Sequence, residues 1–341
     1  MADVGESDRN EQAVIEWLLE GDPAIRWHVM RDLLDAPPEQ WQAERARVEH
    51  EGWGAQILAH QGADGLWAGG AYFPRPFSRE LYEAEGQPWT STLPVLHELA
   101  VLGLDPESER ARHTVRLIGA NARWEYDDLP FWGGEVEECI NGRTVALGCH
   151  FGAGLVDMAP LVDRLVGERQ PDGGWNCERA AGSTRSSFHS TINVLEGLLA
   201  FERATGGTDA SRAARAAGEG YLLERHLFRR LSTGAPADDD FLRLTFPPRW
   251  HYSTLRALDY FRAAAALTGA RLDPRAADAI ADLRSRCGPD GRWPLDHLPG
   301  GRVWVRMEDV GMPSRWVTLQ ALRVLRWWDR ADAKRPERTA D

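Results

Sequence analysis

The sequence predicts an all-α chain of about twelve helices closed into an (α/α)6 toroid, and three observations lead there. First, a turn of the form Asp-Gly-x-Trp recurs, at Asp64-Gly65-Leu66-Trp67, at Asp172-Gly173-Gly174-Trp175 and at Asp290-Gly291-Arg292-Trp293. Second, each turn is followed by a polar start and an apolar helix: Trp89-Thr90-Ser91-Thr92-Leu93, Phe188-His189-Ser190-Thr191-Ile192 and Arg315-Trp316-Val317-Thr318-Leu319. Third, no stretch alternates with period two for long enough to demand a sheet.

The tryptophans of successive turns are 108 and 118 residues apart, and a degenerate copy falls in each interval, from Trp132 to Gly142 and from Phe246 to Thr254. One repeat is therefore about half of each interval, the length of two helices and their connections. Apolar periodicity places helices near 10–20, 24–35, 39–60, 91–103, 107–122, 139–155, 157–169, 188–204, 209–228, 251–268, 275–286 and 315–330. The repeat starts read as an inner set, apolar as at Val194, Leu195, Leu198 and Leu199. Arg212, Arg215 and Glu219 mark a wetter outer helix. Residues 1–331 thus form a single domain, with leading helices over 1–60, the repeats over 61–331 and a polar tail over 332–341.

The balance of 40 basic against 52 acidic residues, a net charge of −12, disfavours nucleic acid or an anionic membrane as the main partner. A small neutral or cationic ligand stays open. The only lysine is Lys334, in the polar tail, so Schiff-base catalysis is not expected. Four cysteines without a cationic, apolar leader point to a reducing compartment, and the chain reads as cytoplasmic. No run approaches 18 apolar residues, so no membrane-spanning helix is expected. Fifteen tryptophans suggest packing repeats or an aromatic-lined cavity.

Gln170-Pro171-Asp172-Gly173-Gly174-Trp175 resembles the Gln/Trp repeats of squalene and related triterpene cyclases. The same stretch, continued through Ser187-Phe188-His189-Ser190-Thr191 to Leu195-Glu196-Gly197-Leu198, is similar to the β-subunit of protein prenyltransferases. The resemblance covers roughly residues 60–330 and implies the toroid fold. It also implies an enzyme, a cyclase or transferase, acting on an isoprenoid or other apolar small molecule in a central cavity. A fold carries many chemistries, so the site residues must be argued separately.

Triterpene cyclases use an Asp-x-Asp-Asp motif, which this chain lacks. Asp238-Asp239-Asp240 lies in a loop and reads as solvated acids, as does Asp127-Asp128. Prenyltransferases place an Asp-x-Cys pair at one inner-helix start and a histidine at the next, all three on zinc. Here Glu137-Glu138-Cys139 and His189 stand 50 residues apart, with Cys177 on the loop between. The resemblance implies zinc on Cys139 and His189 with Glu137 in the place of the aspartate; Cys177, an extra thiol, can take that carboxylate's place, and Cys139, Cys177 and His189 with an open fourth position suit zinc. Cys149-His150 offers a second pairing with Cys177 or Cys287, similar to the lanthionine cyclases. Cys149 is too far along its helix from Cys139 to share an ion with it.

His251, beside Trp250 and Tyr252 at a later helix start, is a candidate acid or base. Trp89, Trp132, Phe188, Trp250, Tyr252, Arg315 and Trp316 would line the mouth and bind substrate, as aromatic faces suit a polyprenyl chain or a carbocation. Glu137 and Glu308 are the further catalytic candidates. Alternatives are a non-catalytic toroid that holds an apolar ligand, and a glycosidase-like α/α barrel with Glu137 or Glu138 facing Glu308 or Asp309. No obligatory partner subunit is expected.

Overall fold

The computed structural model describes residues 4–152, 157–271 and 273–332, and over them the chain is all-α. Fourteen α-helices follow in order: α1 Val4–Leu19, α2 Pro23–Asp32, α3 Pro38–Ala46, α4 Gly52–Leu58, α5 Arg79–Glu85, α6 Thr92–Leu102, α7 Glu109–Asn121, α8 Glu138–Phe151, α9 Ala159–Gly167, α10 Phe188–Thr205, α11 Asp209–Glu224, α12 Thr254–Thr268, α13 Ala277–Ser285 and α14 Arg315–Asp332. The starts are written in short polar side chains that accept the orphaned first-turn N–H groups. Asp22 caps α2, Ser108 α7, Ser187 α10 and Ser253 α12, while Thr208 and Ser211 close a reciprocal box on α11. Gly103, Gly206 and Gly269 end α6, α10 and α12 in the left-handed conformation that glycine takes without strain.

The three Asp-Gly-x-Trp turns perform one task. Each indole N–H donates to a carbonyl ten residues earlier: Trp67 to Ile57 at 3.0 Å, Trp175 to Leu165 and Trp293 to Leu283, both at 2.7 Å. Each tryptophan's backbone N–H donates to a threonine hydroxyl in the next helix, Thr92 at 3.3 Å, Thr191 at 3.1 Å and Thr318 at 3.0 Å. One residue thus ties the end of α4, α9 or α13 to the start of α6, α10 or α14. The rings are buried, so every one of these bonds lies out of water, where losing it is expensive.

Helix contacts run from α2 to α4, α6, α8, α10, α12 and α14, and α14 packs back on α2. The others attach outside this series: α1 to α2, α7 to α8, α9 to both α8 and α10, α11 to α10 and α13 to α12. The junction between chain ends is polar as well as apolar. Arg315 Nε donates to the Trp17 carbonyl at 3.1 Å, and Arg323 pairs with Asp32 at 3.4 Å and with Asp259. The closest pair is α8 and α10, which meet backbone to backbone at Gly142 and Gly197. A Cβ on Gly142 would lie 2.4 Å from the Asn193 oxygen, and one on Gly197 would lie 2.3 Å from the Gly142 oxygen.

Three expectations change. The helix over 39–60 is broken by a 3-10 turn, Arg47–Glu49, into α3 and α4, because Gly52 adopts a positive φ against the Asp22 carboxylate. The short α5 falls between the helices expected over 39–60 and 91–103. Arg215 and Glu219, taken as marks of a wet face, are turned inward: Arg215 pairs with Glu202 at 2.9 Å and Tyr260 donates to Glu219 at 2.8 Å. The expected helix end at 153–155 and the tail from 333 lie outside the described residues. No helix among the described residues is long and apolar enough to cross a membrane.

Candidate metal centre and central cavity

The start of α8 is built by its own loop. Asn141 accepts from the Glu135 N–H at 2.7 Å and donates to the Glu135 carbonyl at 2.8 Å, and the Glu135 carboxylate accepts from the Glu137 N–H at 2.7 Å. This folds the chain into α8 with Glu137 at its N-cap and Cys139 in its first turn. Cys177 arrives from the other side, two residues beyond the stapled Trp175. Asn176 caps its 3-10 turn, and the Cys177 N–H donates to the Ser190 hydroxyl of α10 at 3.2 Å.

Glu137, Cys139 and Cys177 converge. One potential ligand atom from each lies within 4.8 Å of the other two. The Cys139 thiol points at Glu137 Oε2, 3.5 Å away, and Cys177 Sγ accepts from the Cys139 N–H at 3.3 Å and from the Ser190 hydroxyl at 3.4 Å. Bond lengths of about 2.3 Å to sulfur and 2.0–2.2 Å to oxygen give ligand separations of about 3.5–3.8 Å around a tetrahedral zinc. The group therefore needs only a small contraction to hold one. Without a cation, the neighbouring Cys177 thiol, burial and Glu137 all push the Cys139 thiol well above its ordinary pKa.

His189 is not part of this group. Its Nδ1 accepts from the Tyr252 N–H at 2.8 Å, which places the neutral ring's proton on Nε2 and leaves no free lone pair there for a metal. Glu137, expected only as a replacement for the family's aspartate, takes the third place that His189 was expected to fill. Cys149 and Cys287 join no such group among the described residues.

The remaining candidates divide. Trp250 donates to Gln87 at 2.9 Å and stacks on His251 at 3.9 Å, with His189 against its edge. Trp89 lies edge-on to His251 and under the Arg249 guanidinium. These four rings form one aromatic cluster. His251 Nδ1 is buried without a partner, and burial lowers its pKa to about 4, so it is neutral at pH 7. Phe188 and Tyr252 pack with Phe241 and Tyr221, and the Tyr252 hydroxyl donates to the Leu227 carbonyl at 2.5 Å. They read as core.

Trp132 packs on Phe131 and Gly119. Trp316 stacks on Phe246 at 4.2 Å, and Arg315 lies over Trp17 at 4.6 Å. Glu308 accepts from the Ser314 hydroxyl and from the N–H groups of Arg315, at 2.7 Å, and Trp316. Its carboxylate is committed to the N-terminus of α14. Glu138 is likewise engaged, paired with Arg179 at 2.7 Å. Asp238 caps its own 3-10 turn, as a solvated loop acid would.

Residues of α6, α8, α10, α12 and α14, with the loop 246–249, bound a cavity of about 270 Å³ whose lining includes His97, Arg143, Glu196, Arg256 and Gln320. Sequence reasoning did not single out any of them. Their signal was present as charged or polar residues inside otherwise apolar inner helices, as in Ile140-Asn141-Gly142-Arg143-Thr144. Arg143 stands one turn after Cys139 on α8, and the half-buried Tyr72, beside Gln87, feels the charge of both. Burial pushes the Tyr72 phenol above its ordinary pKa.

No known family model matches the chain, and no curated protein does. Among solved structures, a crystal structure of a protein from Actinoplanes is similar over 90% of each chain, at 18% identity and a TM-score of 0.42.

Proposed function

We propose that the protein is a metal-dependent enzyme whose helices close into an α/α toroid around a reaction chamber, with Glu137, Cys139 and Cys177 binding zinc at its edge. The observation that carries this reading is the convergence of those three donors from two separate segments. A lone buried cysteine packs as a small apolar group, but two thiols and a carboxylate facing one another need a cation to share the space as anions. The cyclic series of helix contacts supports the toroid.

Such a donor set leaves a fourth position open, and zinc held there would supply a Lewis acid or an activated thiolate or water. The cluster of Trp89, Trp250, His189 and His251 lies outside the cavity lining and meets it through Arg249, which sits over Trp89, so it would act from behind the chamber wall. His251, neutral and without a partner on Nδ1, is the group suited to take or give a proton. Measuring metal by mass spectrometry after native purification tests this. About one equivalent of zinc is expected, falling below about a tenth in a Cys139→Ser, Cys177→Ser double variant; a similarly low content in the unaltered protein removes the metal-enzyme reading.

A further inference from the structure

A buried guanidinium almost always has a carboxylate or carbonyl beside it, because a charge moved out of water without a partner is costly. The buried arginines of the cavity obey this with one exception, while Arg203, also in the lining, is exposed to water. Arg249 pairs with Glu98, Arg256 makes two bonds to Glu196 at 2.8 and 2.6 Å, and Arg323 pairs with Asp259. Arg143 is 2% exposed, lines the same cavity and has no hydrogen bond or ion pair to any described residue; its Nε is enclosed without a partner. His97, on the facing α6, also lines the cavity without a described partner, and burial beside three arginines holds it well below its ordinary pKa, hence neutral. Arg143 stays charged, since burial lowers its pKa only to about 10.

We infer that Arg143 and His97 form the recognition site for the carboxylate of a small organic acid bound in the central cavity. The planar fork of Arg143 matches a carboxylate's two oxygens, and a neutral imidazole N–H can donate alongside it. Of the two arginines in the lining without a carboxylate, Arg203 is exposed to solvent and Arg143 alone is buried, so the interior has one positive charge to balance, which suits a monoanion better than a diphosphate. Val101, Leu199, Ala200 and Phe246 add an apolar wall for the body of the acid, and about 270 Å³ limits that body to a short chain or one ring. The inference rests on the cavity being the substrate chamber of the proposed function, but not on the metal.

Thermal unfolding of the full chain tests it, with hexanoate as the probe and methyl hexanoate, inorganic phosphate and pyrophosphate as comparisons. Hexanoate should raise the midpoint of the wild-type protein in a saturable way, by about 3 °C at a hundredfold excess over Kd, and methyl hexanoate should not. Arg143→Met removes the charge at similar length, so the variant should unfold at or above the wild-type midpoint without ligand and lose hexanoate affinity by about ten- to a hundredfold. If Arg143→Met does not fold, the contrast between hexanoate and its ester in wild-type protein still decides. No hexanoate shift, an equal shift with the ester or in Arg143→Met, or a larger shift with phosphate or pyrophosphate overturns the inference. The Cys139→Ser, Cys177→Ser variant should keep the hexanoate shift, which separates failure of this site from failure of the metal centre.

Discussion

Alanine at Gly197 should destabilise the protein even though alanine is the better helix former. On a free helix the change gains about 1 kcal/mol. Here the new Cβ would sit 2.3 Å from the Gly142 carbonyl oxygen and 3.0 Å from its carbon, both backbone atoms of a packed neighbour that cannot rotate away. Reaching ordinary contact means parting α8 and α10 by about an ångström, and overpacking of that kind costs about 1–3 kcal/mol or more. The net expectation is a loss of about 1–2 kcal/mol. Gly220, inside α11, is the control: nothing lies within 4 Å of its Cβ position, so Gly220→Ala should stabilise by about 0.5–1 kcal/mol. Urea unfolding followed by tryptophan fluorescence and circular dichroism reads both midpoints. If Gly197→Ala unfolds at or above the wild-type midpoint, the backbone contact that sets Cys139 beside Cys177 is not as described.

Thr191→Val keeps the shape of the side chain but strands the buried Trp175 N–H, and should cost about 1–3 kcal/mol in the same assay. Glu308→Ala removes a cap from α14 and should cost about 1–2 kcal/mol while leaving the zinc content unchanged; loss of zinc would give Glu308 a role at the metal centre that its hydrogen bonds do not suggest. His28, His150 and His251 are each lowered to about 4, first of all by burial. Unfolded they would titrate near 6.5, so the unfolded chain binds more protons below that pH and stability is lost as pH falls from about 6.5 towards 4. At pH 5 unfolding should take up about two to three protons from these histidines, and a flat profile between pH 7 and 5 would show that they are not buried as neutral groups.

The helices were legible because their punctuation is chemical. Glycine at a positive φ, a capping serine or threonine and a tryptophan whose N–H must be satisfied leave marks in the sequence, and 12 of the stretches inferred from periodicity fall on helices. α5 carries a capping Ser78 and a Gly86 at positive φ, but its seven residues expose Leu81 and Tyr82 and bury nothing, so no apolar face announced it. The thiol pair was legible through the resemblance to prenyltransferases, which pointed to Cys139, and through the place of Cys177 on the loop between two repeat starts. That His189 would turn its Nδ1 to a backbone N–H was not, because the partner, Tyr252, comes from a loop 63 residues away. Arg143 and His97 were hidden differently. A net charge of −12 describes the whole chain and conceals a cationic interior, which becomes visible only when five helices are brought round one space.

X-ray absorption at the zinc edge, on protein purified without chelator, addresses the metal centre most directly. Two sulfur scatterers at about 2.3 Å with oxygen or nitrogen at about 2.0–2.2 Å are expected, and the double serine variant should lose the zinc signal itself, any residual zinc showing no sulfur. A shell of light atoms alone, or a sulfur count unchanged by the two substitutions, would contradict the assignment of Cys139 and Cys177 as the ligands.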